Sequence, residues 1–312
     1  MRLLLLGDCH FRSSAPARRT DDFFQTQLDK MEQVKKIYVE QRCDAVLQAG
    51  DLFDSPKQPM NVLYCLKELL QGSWAGQFYT VPGQHDLYMR DLTSLKRTAV
   101  GVLSVGKPGS VNVVGMNGIP GPVYIKEDVC LYGKPYGAKP IKKMETDGFH
   151  ILLAHVSVGP DKLWEGHDLI SPAEYAEAHP FDLIVLGDYH YPFEERIGNT
   201  VVINPGCLVR LTAGERDIAA HPQVVVFDTE TKESENIPLD IKPAKEVFSE
   251  LVTASKEEQV SASVLSMIEK LKKGIGEGQD FRTALSLLCK ETGIHESVVS
   301  EIDSAIEEAI HE

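Results

Sequence analysis

Aspartate and histidine residues recur in this sequence directly after short apolar runs, in arrangements that suit metal-dependent chemistry. After five such runs the chain reads D-C-H, G-D-L-F-D, G-Q-H-D, a single His, and G-D-Y-H. Carboxylates and imidazoles together are the donors of catalytic divalent-metal sites, and two neighbouring ions can clamp a phosphoryl group for displacement. One D-x-H triplet would be weak evidence. Five ordered motifs, each closing an apolar run, predict one metal site assembled from distant parts of the chain.

The motif residues are the candidate members of this site. Side chains alternate along an extended chain, so D-x-H spacing places Asp8 and His10 on one side and turns Cys9 into the core. The same spacing pairs Asp188 with His190. The other candidates are Asp51, Gln84, His85, Asp86 and His155.

The apolar runs that precede these residues predict the elements that position them. Each run is rich in Val, Leu or Ile and closes with Gly, Pro or Asp, as buried strands do. The runs are RLLLLGD, DAVLQAGD, FYTVPG, HILLAHV, DLIVLGD and TVVINPG. The segment after the first run, DDFFQTQLDKMEQVKKIYVEQR, has helical apolar spacing behind an Asp-rich start that can cap a helix. Strand, helix and strand in this order predict an α/β sandwich, whose strand ends converge on a site. The Gly- and Pro-rich stretch at 110–137 predicts additional antiparallel strands.

Composition and length indicate a large domain followed by a small one. The chain has 312 residues, of which 43% are hydrophobic and 25% charged, typical of a soluble globular protein. Strand-like runs stop near residue 240 and helical patterning follows. We therefore expect a first domain at 1–240 and a helical region at 241–312 that either packs on the first domain or docks a partner.

Three features indicate the class of protein and its compartment. No apolar run approaches the roughly 20 residues that span a bilayer, so no membrane contact is expected. The six cysteines are scattered without a C-x-x-C pair, which predicts neither a disulfide framework nor a structural zinc site and favours the cytoplasm. The net charge of −14 is unfavourable for binding nucleic acid through this chain alone.

The order D-x-H, GD-x-x-D, G-(N)-H-D, H, G-x-x-H resembles that of the calcineurin-like metallophosphoesterase superfamily. The element NPGCLVRL at 204–211, followed by PQVVVFDTET, is similar to the SbcD-type DNA exonuclease subunit, notably its shorter phage-like members. The resemblance covers about residues 1–240. It implies a four-layer αββα sandwich followed by a small helical C-terminal domain.

The resemblance also implies two divalent ions, for which Mn²⁺ is expected and Mg²⁺ is the alternative. His85 is implied as a donor to the phosphate or leaving oxygen, with Asp86 orienting its ring, and Asp54 is expected to cap its own turn. The implied first-ion ligands are Asp8, His10 and His190, with Asp51 bridging, and the implied second-ion ligands are Gln84, His155 and Asp188.

Two of these positions depart from the family pattern. Gln84 stands where the family usually has Asn, and Asp188 where it often has His. A third carboxylate makes the site less positive, which predicts a preference for Mn²⁺ or Mg²⁺ over Zn²⁺. A weakened second site is left open.

The resemblance implies hydrolysis of DNA phosphodiesters, as a 3′ exonuclease on duplexes and an endonuclease on single strands. It further implies an SMC-like ATPase partner of the SbcC type, which could supply DNA-binding surface, and a homodimer is left open. Candidate phosphate-backbone contacts, which could equally be solvated or structural charges, are Arg12, Arg18, Arg19 and Arg210.

Two alternative functions remain from the sequence. The negative charge favours a phosphodiesterase or phosphatase for a small nucleotide, which needs no basic face. The two departures favour a scaffold that binds a DNA end or a partner through a weakened metal site.

Overall fold

A computed structural model describes residues 1–106, 110–115, 122–163 and 166–249, which contain two six-stranded sheets. The strands in chain order are β1 (Arg2–Leu6), β2 (Ala45–Gln48), β3 (Phe78–Thr80), β4 (Asn112–Val113), β5 (Val123–Lys126), β6 (Val129–Lys134), β7 (Phe149–His155), β8 (Leu183–Gly187), β9 (Phe193–Ile197), β10 (Thr200–Asn204), β11 (Gln223–Asp228) and β12 (Ser234–Pro238). The first sheet has the order β12-β11-β1-β2-β3-β4, and the second has the order β5-β6-β7-β8-β10-β9.

Helices cover the outer faces of both sheets. The α-helices are α1 (Phe23–Glu40), α2 (Met60–Leu69), α3 (Ala99–Leu103), α4 (Pro172–Ala178), α5 (Glu215–Ala219) and α6 (Ala244–Val247). Two short 3₁₀ helices, Tyr88–Arg90 and Leu92–Arg97, follow β3.

Alternating side chains of the strands separate three apolar clusters. Leu4 of β1 packs in one cluster with Met31 of α1, whereas its neighbour Leu5 packs with Leu153 of β7 in the cluster between the sheets. Leu152 points the other way, into a cluster that includes residues of α4. The layers therefore run helix, sheet, sheet, helix, and the predicted αββα sandwich is confirmed.

The six predicted strands are confirmed as β1, β2, β3, β7, β8 and β10. The prediction for 110–137 is right in part: β5 pairs antiparallel with β6, but β4 joins the edge of the first sheet in parallel. The predicted first helix is α1, and its N-cap Asp22 accepts a bond from the Gln25 N–H. Of the predicted 241–312 region, residues 250–312 lie outside the described residues, and α6 falls within its described part.

Two further findings concern composition. Within the described ranges, no helix combines the length and apolar character needed to cross a membrane. The five cysteines of this part of the chain, Cys9, Cys43, Cys65, Cys130 and Cys207, are all free thiols.

A buried lysine of α1 makes the stability of the fold depend on pH. Lys30 is 4% exposed, and its ammonium donates to the backbone carbonyl of Asp240. Burial lowers the pKa of Lys30 to about 8, against about 10.4 in an unfolded chain. Between these values the unfolded chain binds more protons, so this group adds stability as the pH rises. With solvent screening allowed for, we expect a gain of about 1–2 kcal/mol across this window.

The gain is measured as the difference in unfolding free energy between the wild type and Lys30→Met, from urea titrations at pH 7.5 to 10.5. This difference should grow in favour of the wild type as pH rises. Lys36→Met, on the exposed side of the same helix, is the matched control and should show no such trend. A flat Lys30→Met difference would contradict the assignment.

Candidate metal centre

The predicted site residues lie together at the carboxyl ends of the parallel strands. Asp8 and His10 follow β1, Asp51 follows β2, and the G-Q-H-D motif follows β3, all in the first sheet. His155 closes β7, and the G-D-Y-H motif closes β8, in the second sheet. The same edge of both sheets therefore collects residues far apart in sequence, such as His10 and His190, which are 180 positions apart.

Asp8, His10 and His190 form one group of potential metal ligands, with donor atoms within 4.8 Å of one another. The two imidazole Nε2 atoms are 3.2 Å apart. Asp8 Oδ2 lies 3.4 Å from His190 Nε2 and 3.7 Å from His10 Nε2. Two imidazole nitrogens and a carboxylate oxygen thus converge on one point.

Asp8, Asp51 and His155 form a second, fully buried group. Asp51 Oδ2 is 3.3 Å from His155 Nε2 and 4.0 Å from His10 Nε2, so it lies between the two groups. His155 Nδ1 lies 2.7 Å from the Ala49 carbonyl. A carbonyl oxygen only accepts, so Nδ1 carries the hydrogen and Nε2 faces the carboxylates.

The two departures from the family pattern contact each other. Gln84 Nε2 donates to Asp188 Oδ1 at 2.6 Å, and the same oxygen lies 3.8 Å from His155 Nε2. The extra methylene of glutamine is what extends the amide to this carboxylate. Gln84 Oε1 is buried without a hydrogen-bond partner. The longer amide and the added carboxylate therefore form one unit beside the second group.

Backbone strain and close packing hold these side chains in place. His10, Asp51 and Asp188 have φ values of 47°, 48° and 85°, a left-handed region that costs non-glycine residues energy and recurs at functional sites. Gly83 leaves room for Asp51, because a Cβ on this glycine would lie 2.0 Å from Asp51 Oδ1. An alanine at position 83 would displace the central carboxylate.

His85 joins the site, but Asp86 does not orient its ring, and this prediction is wrong. His85 Nδ1 lies 3.0 Å from the Asp54 carbonyl, and the His85 N–H donates to Asp51 Oδ1 at 2.9 Å. The Asp86 carboxylate is buried and accepts backbone N–H groups of Leu52, Phe53 and Gly83. Burial and the nearby Asp51 raise the pKa of Asp86 to about 7, against the three N–H donors. Asp86 thus joins the two motif loops and makes no contact with the imidazole.

Asp54 is also placed differently from the expectation that it caps its own turn. Its Oδ2 accepts from Arg12 Nη1 at 2.9 Å, and its Oδ1 lies 3.8 Å from His10 Nδ1. Asp54 therefore anchors Arg12 beside the first group. Arg12 is half-buried there and stays a candidate for contact with a phosphate.

Two of the other candidate arginines are structural, which corrects the prediction of Arg19 as a substrate contact and favours the structural alternative for Arg210. Arg19 donates to both oxygens of Asp21 at 2.8 and 2.7 Å and to the Arg210 carbonyl at 2.8 Å. Arg210 donates to the Lys242 carbonyl, and both guanidinium groups lie over the Phe248 ring. Both residues are less than 10% exposed, so they tie the loop before α1 to the segments around residues 210 and 242–248. Arg18 is exposed, and its contact with substrate stays a prediction.

Two supporting residues were not identified from the sequence as members of the site. Gln27 of α1 is fully buried and donates to the His10 carbonyl at 2.9 Å. Asn204, in the N-P-G element, donates to the Tyr189 carbonyl at 2.6 Å and accepts from the Gly206 N–H at 2.8 Å. Gln27 occupies a position of the buried helix face, and this polar residue among apolar ones was the available signal.

The unpaired atoms and charges of the centre fit divalent cations. Asp51 Oδ2 and His155 Nε2 are buried without hydrogen-bond partners. Burial acts to lower the pKa of His155, but Asp51, Asp8 and Asp188 outweigh it and raise that pKa well above its usual value. Burial likewise acts to raise the pKa of Asp8, but His10 and His190 hold it well below the usual range. The ionised carboxylates thus favour positive charge at this point, and a divalent ion would supply it in place of the imidazole protons.

Comparison with known families places this centre in context. The family model for the calcineurin-like phosphoesterase superfamily domain matches residues 1–232, which include every residue of both groups. The match thus covers well over half of the chain.

Individual relatives are more distant. The chain is similar to the DNA double-strand break repair protein Mre11 of Methanosarcina mazei, with 27% identity over 235 residues, or 70% of this chain. It spans only 35% of the length of that relative. Among solved structures, a novel archaeal phosphodiesterase has a TM-score of 0.41 at 16% identity, and the Escherichia coli phosphoesterase YfcE has 0.36 at 14%. Each covers 77% of this chain and is itself matched over its whole length.

Proposed function

The chain belongs to the calcineurin-like phosphoesterase superfamily, and we propose that it is a divalent-metal-dependent phosphodiesterase that cleaves DNA. The proposed activities are 3′ exonuclease action on duplexes and endonuclease action on single strands. The observation that carries the phosphodiesterase proposal is the pair of adjoining ligand groups, with Asp51 Oδ2 unpaired between them. The similarity to a DNA double-strand break repair protein supports DNA as the substrate.

The proposed ligands of the first ion are Asp8, His10 and His190, with Asp51 shared, and those of the second ion are Gln84, His155 and Asp188. When bound, the ions supply positive charge for the phosphoryl oxygens and acidity for the attacking water. The proposed metal is Mn²⁺, with Mg²⁺ as the alternative, because the proposed ligands of the second ion offer carboxylate and amide oxygens besides one imidazole.

The chain's own residues hold and orient the reacting groups. The Ala49 carbonyl and the Asp54 carbonyl occupy Nδ1 of His155 and His85, which fixes the tautomer and ring direction of both imidazoles. His85 is exposed, and its Nε2 is left for the phosphate or the leaving oxygen. In its protonated form this nitrogen donates to the charge that develops there.

The net charge of −14 makes a partner part of the proposal. An SMC-like ATPase of the SbcC type would contribute further DNA-binding surface. The proposal also includes a homodimer. Met60 and Tyr64 of α2 support it, because these large apolar side chains are 79% and 67% exposed and could pack against a second copy. The free thiols of the described cysteines support a cytoplasmic location.

The second candidate function is hydrolysis of a small nucleotide, and the net charge is the observation that favours it. The scaffold alternative has less support. The buried Asp51 Oδ2 and His155 Nε2, which have no hydrogen-bond partner, suit bound ions, whereas a site that had lost its ions would be expected to satisfy these atoms internally.

Digestion of a 5′-labelled duplex with Mn²⁺ tests the proposal. We expect a ladder of shortened labelled strands, because 3′ exonuclease action leaves the 5′ label on every intermediate. Chelation of the metal and the Asp51→Asn substitution should each abolish the ladder. The readout is a denaturing gel, and metal content by mass spectrometry should approach two ions per wild-type chain.

The alternatives predict different outcomes. Intact DNA together with hydrolysis of bis-p-nitrophenyl phosphate would favour the small-nucleotide function, and addition of an SbcC-type partner would then test whether DNA cleavage needs it. Less than one ion per chain and no hydrolysis of either substrate would favour the scaffold.

A further inference from the structure

Tyr136 and Arg90 form a stacked pair beside the second ligand group. The Arg90 guanidinium carbon lies 5.7 Å from the centre of the Tyr136 ring. On the site side, the Tyr136 ring meets the His155 ring edge-on, with centroids 6.4 Å apart. The pair therefore extends outward from a proposed metal ligand to the surface, where Arg90 is exposed.

The backbone holds both residues of this pair against the G-Q-H-D loop. The Tyr136 N–H donates to the Pro82 carbonyl at 3.0 Å, directly before that loop. Arg90 lies in the turn that follows the loop, where the Tyr88 N–H donates to Ser94 Oγ at 3.1 Å and the Ser94 hydroxyl donates to the Asp91 carbonyl at 2.6 Å. A turn closed by a buried serine presents its residues rigidly.

Strain and exposure in this turn need an explanation that packing does not supply. Met89 and Arg90 have φ values of 48° and 60°, which costs non-glycine residues energy and is typical of ligand-contacting segments. Met89 is 90% exposed, four residues after His85. Among the described residues, no carboxylate forms an ion pair with Arg90. A cation and an apolar side chain are thus held toward solvent beside the centre.

Local charge agrees with an anionic ligand. Residues 88–97 carry Arg90, Lys96 and Arg97 against one carboxylate, and residues 134–143 carry four lysines and no carboxylate. Arg90 is the cation placed at Tyr136 itself, whereas the ammonium of buried Lys134 lies over the Tyr175 ring of α4. The net charge of the whole chain is −14.

We propose that Arg90 and Tyr136 form a stacking platform for the nucleobase next to the scissile phosphate, with Met89 at its edge. Bases stack on aromatic rings and on the planar guanidinium of arginine, and such contacts tolerate any base. The inference rests on the proposed function, because it names the part of the substrate that is recognised beside the metal centre.

A pair of diesters that differ only in the nucleoside tests the platform. Thymidine 5′-(p-nitrophenyl phosphate) carries a base, whereas methyl p-nitrophenyl phosphate has the same leaving group and none. Tyr136→Ala should lower kcat/KM for the thymidine diester about tenfold, the loss expected for one stacked base, and leave the methyl diester unchanged. Tyr136→Phe keeps the ring and should retain activity on both.

Arg90 offers a second, independent comparison. Arg90→Lys keeps the charge but loses the plane, so it should lose the preference for the thymidine diester as Arg90→Ala does. Arg97→Lys is the matched control, because Arg97 lies over Tyr88 instead, and its kinetics should match the wild type.

Several outcomes would overturn either the platform or the proposed function on which it rests. If Tyr136→Ala lowers kcat/KM equally for both diesters, Tyr136 only supports His155. If it leaves kcat/KM unchanged for both, the base does not stack on Tyr136. A nucleoside preference in a chain that does not cut DNA, alone or with an SbcC-type partner, would refute the proposed function and keep the platform. Affinity for thymidine 5′-monophosphate, measured by calorimetry with Ca²⁺, needs no turnover, and the same affinity in the wild type and Tyr136→Ala would also refute it.

Discussion

Asp51→Asn should lower kcat/KM for a phosphodiester by about a thousandfold or more, the size of effect seen when a central electrostatic contact is removed from an active site. Asp51 is fully buried, and its unpaired Oδ2 lies between His155 Nε2 at 3.3 Å and His10 Nε2 at 4.0 Å. These imidazoles belong to different ligand groups. An amide of the same size keeps the Oδ1 bond to the His85 N–H but supplies no negative charge to either ion.

The readouts are steady-state kinetics with Mn²⁺ and metal content by mass spectrometry, where the variant should bind fewer ions than the wild type. Circular dichroism should show an unchanged fold. Asp91→Asn is the matched control: its exposed carboxylate caps the short helix that begins at Leu92, and asparagine caps equally well. Wild-type turnover in Asp51→Asn, with no loss of metal, would remove this residue from the centre.

The elements that carry the site follow closely from sequence, because each strand is a compact apolar run with its motif at the carboxyl end. The period of two in D-x-H also predicts that Asp8 and His10 share a side, and the structure brings them together. Neither feature depends on residues distant in the chain. Local patterns of this kind place a residue on an element and on a face of it.

Hydrogen-bond partners that depend on tertiary packing could not be predicted from the sequence. The family resemblance assigned Asp86 to the His85 ring, yet three backbone N–H groups on two loops bind its carboxylate. Arg19 and Arg210 are 191 residues apart, and only the folded chain shows that one donates to the carbonyl of the other. A charged residue near a motif can equally be a ligand contact or a structural tie, and spacing does not separate the two.

The acidic balance of the chain and a DNA substrate are compatible if cations are concentrated where the strand lies. Segments 88–97 and 134–143 are basic, and Arg90 of the first lies over Tyr136 of the second, whose ring meets the His155 ring. Local potential, more than net charge, governs how a phosphate backbone approaches a cleft. Binding strong enough for processive cleavage would still need further basic surface, which is the physical reason for an ATPase partner in the proposed function.

Replacing Gln84 and Asp188 together should change the metal preference of the centre. The wild type should turn over faster with Mn²⁺ than with Zn²⁺. In Gln84→Asn/Asp188→His the ratio of kcat/KM with the two metals should move toward Zn²⁺ by about a hundredfold, since an imidazole replaces a carboxylate in the ligand set. The measurement is kcat/KM for a small phosphodiester with Mn²⁺, Mg²⁺ and Zn²⁺ on the metal-stripped chain.

The single variants show whether the two departures act as one unit. Gln84 Nε2 donates to Asp188 Oδ1 at 2.6 Å, so either substitution alone removes this bond and leaves a buried polar group without its partner. Each single variant should therefore be less active with Mn²⁺ than the wild type, and their effects should not add in the double variant. Additive effects would mean that the two residues reach the centre independently. Faster turnover with Zn²⁺ than with Mn²⁺ in the wild type would show that the third carboxylate does not set the metal preference.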